Sequence, residues 1–165
     1  MAKLQQALSI LFYPDEYESA VSMLDDLQID RRPASPYLKL AAVRCSGGSL
    51  ERLKSAIEMG NRDFRDLVMS ARFCEGTNAH LKWVPRPFHK RDAEHWLAGG
   101  QIEDVNFGPN EDAWFLTTIR RKKKDAKIIS LYALEPTVIY LVRYLSGKEE
   151  LMAQNHLIKH ESTDE

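Results

Sequence analysis

The chain has 165 residues, 44% of them hydrophobic and 28% charged, with a formal net charge of -1 at pH 7. These proportions exclude a disordered chain and any global pull toward nucleic acid or acidic lipid, so such binding must come from a local patch. Cys45 and Cys74 form no CxxC pair, which argues against a disulfide framework and for reduced thiols.

The opening residues lack the apolar core of a signal peptide, because Gln5 and Gln6 interrupt it. The longest apolar run, Val138 to Val142, is far below the ~20 residues that span a bilayer. A cytoplasmic protein is the expectation.

Helical signals fill the first half. Lys3 to Phe12 is an apolar segment closed by Pro14. Pro14 and Asp15 open a second helix, with Tyr17, Ala20, Val21, Leu24 and Leu27 on one side and acidic residues in its first turn, opposite the positive end of the helix dipole. Residues 30–34 read as a turn. Ser35 followed by Pro36 marks an N-cap and first helical position, and Gly47-Gly48 stops the third helix.

Ser49 then caps a long fourth helix. Leu50, Leu53, Ile57, Gly60, Phe64, Leu67 and Ala71 recur at steps of three and four, which draws one apolar stripe with charged residues on the other faces. Gly60 costs about 1 kcal/mol against alanine inside a helix. Because the stripe keeps its phase across it, the reading is one continuous helix with a neighbour approaching closely at Gly60.

The segments Leu38 to Arg44, Gly48 to Leu53 and Asn61 to Val68 together resemble a family of small uncharacterised bacterial helical proteins, over about residues 37–73. That family has no settled activity, so the resemblance implies a helical module and no mechanism.

Gly76-Thr77-Asn78 and Val84-Pro85-Arg86-Pro87 break the helical pattern and mark a boundary. Beyond it, Lys90 to Ala98 reads as a short helix ended by Gly99-Gly100. Gln101 to Phe107 and Ala113 to Ile119 read as strands joined through the turn formers of 108–112, with a third strand at Lys127 to Leu134. Glu135-Pro136-Thr137 should start a helix with Val138, Leu141, Val142 and Leu145 inward, although its β-branched content keeps a strand reading open. Lys148 to Lys159 reads as a further helix and 161–165 as a frayed tail. The expected fold is therefore α+β: a helical module over 1–77, then a three-stranded antiparallel meander flanked by helices over 84–160.

Chemistry is sparse. No phosphate loop, dinucleotide fingerprint, GxSxG or HExxH is present, and no cofactor or metal is implied. His156 and His160 have helical i, i+4 spacing but no evident third ligand. Cys45 lies on an apolar helix face, as an inert core residue does; Cys74 falls at the end of the long helix, where the dipole disfavours a thiolate.

Three tryptophans, Trp83, Trp96 and Trp114, are candidate partner anchors. Trp114 stands out because alternation puts Trp114 and Phe115 on opposite faces of one strand. An aromatic group of Phe107, Trp114, Phe115, Tyr132, Tyr140 and Tyr144 could also line a pocket.

The basic run Arg120-Arg121-Lys122-Lys123-Lys124 could meet phosphates from a hairpin tip. Lys82, Arg86, Lys90 and Arg91, among Trp83, Phe88 and His89, could extend it. The sequence thus favours a non-enzymatic protein-interaction or regulatory protein, with nucleic-acid binding through 120–124 as the alternative.

Overall fold

The computed structural model describes residues 2–117 and 120–160. The chain divides between Phe88 and His89 into two units.

The first unit holds six helices: α1 (Ala2–Leu11), α2 (Tyr17–Leu24), α3 (Pro36–Ser46), α4 (Leu50–Arg62), α5 (Phe64–Ser70) and α6 (Ala79–Lys82). A two-stranded hairpin, β1 (Gln28–Ile29) and β2 (Arg32–Pro33), lies between α2 and α3. Its two-residue loop, Asp30 and Arg31, has both residues left-handed (φ 52° and 63°), the geometry a tight hairpin turn requires. Asn61 ties this hairpin to α4: its Oδ1 accepts from the Gln28 N–H at 2.9 Å, and its Nδ2 donates to the Asp26 carbonyl at 3.1 Å.

The caps read from sequence are present. Ser35 Oγ accepts from the Leu38 N–H and Ser49 Oγ from the Arg52 N–H. The single long helix is not. Asp63 takes an extended conformation that ends α4, and its side chain caps α5 by accepting from the Arg65 N–H at 2.9 Å. The stripe survives except at Phe64, which the break leaves 43% exposed, because both helices pack on one core, which includes Leu24, Leu27, Val43, Leu53, Ile57 and Leu67. Gly60 is the point of close approach: a Cβ there would stand 2.7 Å from Leu27 Cδ1 and 2.8 Å from Leu67 Cδ2.

The second unit starts with α7 (Lys90–Leu97) and continues into one antiparallel sheet. Its strands are β3 (Asp112–Leu116), β4 (Lys123–Ala133), β5 (Ile139–Tyr144), β6 (Glu149–Ala153) and β7 (Leu157–Lys159), in the order β6-β5-β4-β3-β7. Five strands replace the three expected. The predicted strand at 101–107 is irregular backbone, and both predicted helices after Pro136 are strands. At 138–144 the two-residue period wins: Val138, Tyr140 and Val142 are buried, while Leu145, placed inward by a helical reading, is 89% exposed. Gly147 (φ 84°) then closes a three-residue hairpin loop, in which Tyr144 accepts from the Gly147 N–H and donates to the Lys148 carbonyl. Thr118 and Ile119, the end of the predicted second strand, and the tail 161–165 lie outside the described residues.

The edge strands β6 and β7 are joined by a single 3₁₀ turn, Gln154–His156. A flat sheet would separate those edges by four strand spacings, about 19 Å. Four residue steps reach at most about 14 Å. The sheet must therefore curl on itself, as a small barrel does. One end of its inner face is stoppered. Trp96 of α7 packs on Tyr140, its Nε1 donates to the Phe107 carbonyl at 2.9 Å, and the Phe107 ring meets Tyr140 edge-on at 5.7 Å. Tyr140 Oη donates to Gln154 Oε1 and accepts from the Phe107 N–H, and Gln154 holds the backbone of Asp104 and Asn106. This network fixes the irregular 104–107 segment against the sheet.

Candidate functional site

The opposite end of the inner face is open. Strand register puts Phe115, Lys124, Tyr144, Glu150 and Met152 on the same face as the buried Ala126, Ile128 and Val142. Near the stopper that face is covered, but at this end the rings of Phe115 and Tyr144 are half-buried and pack together, centroids 5.0 Å apart.

The ring pair floors two recesses that share Phe115, Tyr144 and Glu150. One, of about 670 Å³, extends past Lys123, Lys124, Leu145 and Lys148. The other, of about 550 Å³, extends past Leu116, Met152, His156 and Ile158. Tyr144 Oη donates to a Glu150 carboxylate oxygen, and desolvation followed by that carboxylate pushes the phenol up to about 12.

The β3–β4 and β5–β6 loops meet at this end because β4 pairs with β5 from Ala126 and Tyr144 onward. The first loop is closed by Thr117, whose N–H donates to the Lys122 carbonyl and whose Oγ1 accepts from the Lys122 N–H. It carries Arg120, Arg121 and Lys122, all exposed. Lys123 and Lys124 belong to β4 and face opposite ways. Lys124 is paired across from Phe115, whereas Lys123 Nζ lies 4.5 Å from the Trp114 ring centroid on the outer face.

Two of the three candidate tryptophans are core residues. Trp96 is the stopper just described, 2% exposed. Trp83 is 5% exposed in the first unit, against Phe73 and beneath the Arg44 guanidinium at 5.5 Å. Burial withholds both from a partner. Trp114 is partly exposed, but Lys123 and the His160 ring, centroids 4.1 Å apart, both lie against it, and His160 Nε2 is 3.5 Å from Asp125.

The second basic group spans the two units. Lys82 and Arg86 belong to the first unit and Lys90 and Arg91 to the second, where Glu94 and Asp92 stand 4.0 Å from the latter two. His156 and His160 share no helix. His156 borders the second recess, and no group of three metal-ligating side chains occurs among the described residues.

Lys148, Glu150 and Met152 were not singled out in the sequence, because their segment reads there as helix or turn, and Leu145 was placed in a helix core. Alternation carried from Val138 through 152 is the signal that would have put Lys148, Glu150 and Met152 on one face. The lining offers aromatic faces, apolar contact and ammonium groups, which is binding chemistry.

Comparison with family models, curated proteins and solved structures gave no match. No helix of the described residues is long and apolar enough to cross a membrane.

Proposed function

We propose that the chain is a non-enzymatic protein-interaction module that docks its partner at the open end of the second unit's sheet. The observation that carries this reading is the half-buried Phe115–Tyr144 pair with exposed leucines on its rim, Leu116 at 47% and Leu145 at 89%. The inner face buries apolar side chains everywhere else, and apolar surface left open beside polar groups is what an interface uses. Affinity capture with the wild-type chain and a Leu145→Ser variant tests it. A protein retained by the wild type and depleted at least threefold by the variant is the expected result. Identical recoveries from the two baits overturn the docking site.

A second reading, nucleic-acid binding, is supported by the exposed cations Arg120 to Lys124 at the same end. Retention on single-stranded DNA that weakens with salt, and that Arg120→Glu with Lys122→Glu abolishes, would support it. Retention unchanged by the charge reversals would remove it.

A further inference from the structure

Resting on the docking reading above, we infer that the partner presents an acidic peptide segment with an apolar side chain, laid across the Phe115–Tyr144 floor.

Charge at this end of the sheet points to an acidic ligand. Arg120, Arg121, Lys122, Lys123, Lys124 and Lys148 project from the two loops and strand ends at this end of the sheet, in a chain whose net charge is only -1. Among the described residues, Lys123 lies over the Trp114 ring, and the other five have no carboxylate partner. The lining carboxylates are Asp125 and Glu150, and both are engaged, Asp125 by His160 and Glu150 by Tyr144. Over the two loops and their strand ends, 116–125 and 144–150, six cations stand against three carboxylates, Asp125, Glu149 and Glu150, which leaves a local positive excess that a negative ligand would complement.

The lining fits a peptide better than a nucleic acid. Glu150 sits in the floor beside the rings, so negative charge interrupts the positive surface. An evenly charged phosphate backbone is repelled at that point, whereas a peptide can place a neutral side chain there. Leu116, Leu145 and Met152 also give the recesses apolar walls. Phosphates have no use for such walls, and a Phe or Leu of a peptide does.

The test is fluorescence anisotropy with the full chain and three labelled probes: a short peptide of Asp and Glu with one central Phe, the same peptide with Ala for Phe, and oligothymidylate. The Phe peptide should bind at least fivefold more tightly than either other probe. Lys124→Glu with Lys148→Glu should weaken it at least tenfold and flatten its salt dependence. Leu145→Ser should weaken it about threefold and leave the salt dependence unchanged. Tighter binding of oligothymidylate overturns the inference in favour of nucleic acid. Equal binding of the two peptides overturns it in favour of charge alone. Failure of all three probes overturns it too. The Leu145→Ser capture experiment then separates this failure from that of the docking site, which stands if its captured protein is still depleted.

Discussion

At the scale of single residues, two glycines show how backbone and side-chain obstruction differ. Gly48 has φ 92°, and a Cβ there would run into the Leu11 backbone carbonyl. Gly60 has helical geometry, and its Cβ would meet only the ends of Leu27 and Leu67. Alanine at 60 gains about 1 kcal/mol of helix propensity. It must also displace two buried leucines, and overpacking of that kind costs about 1–3 kcal/mol. Urea denaturation should therefore find Gly60→Ala mildly destabilised and Gly48→Ala clearly more so, because a backbone carbonyl cannot rotate aside.

The cysteines make a second residue-scale contrast. Burial pushes the Cys45 thiol up to about 12 despite the nearby Arg52 and Arg44, while Cys74 is exposed. With a disulfide reagent near pH 8, exposed Cys74 should react much faster than the partly buried Cys45, and unfolding should bring the two rates together. Two rapid native reactions would show that the α3 core opens readily.

At the scale of elements, Asp63 joins α4 to α5. The Arg65 backbone N–H, then the Arg65 side chain, hold its carboxyl below the ordinary value. A depressed folded value means that this contribution is complete above the unfolded pKa of about 3.9 and disappears as pH falls through the lower folded one. Asp63→Asn should hence be less stable than wild type at neutral pH, and the gap should close in strong acid, as read from urea midpoints against pH.

Tyr140 is the corresponding link in the sheet. Its phenol is pushed up to about 12, chiefly by burial, and Tyr140→Phe leaves the Phe107 N–H and Gln154 Oε1 without that partner. The expected cost is about 1–3 kcal/mol. The 104–107 segment should exchange its amide hydrogens faster.

What was legible follows from how local each signal is. Ser35-Pro36 and Ser49 act within one turn, and the structure keeps both caps. The Asp63 break was hidden because the stripe continues across it, and a sequence stripe reports a shared core and not an unbroken axis. The later strands were misread because Val138 to Val142 satisfies two periods at once. Only pairing with β4 and β6, set by distant residues, decides between them. The candidate site inherits this: Lys123, Lys124, Phe115 and Tyr144 stood out by type, but Glu150 and Lys148 join them only once the second hairpin exists.

At the scale of the whole molecule, the near-neutral chain places six of its 23 lysines and arginines at one end of one sheet. That sheet depends on its last strand, since β7 covers the free side of β3 and contributes the buried Leu157. The helical core is built from residues of the first unit. A chain ended after Gln154 should accordingly lose the folded sheet, with tryptophan emission shifted to the red of the full chain's, while far-ultraviolet circular dichroism retains the helical signal. Emission unchanged from the full chain would show that four strands suffice.

The passage of Gly48 beneath the Leu11 carbonyl also offers a way to recognise kin. A homologue that brings the end of α3 onto the end of α1 in the same way has no room for any side chain at this point, however far the rest of its sequence has drifted. An aligned glycine there, joined by a small residue at position 60, would be a more durable mark of common descent than the hydrophobic pattern around it.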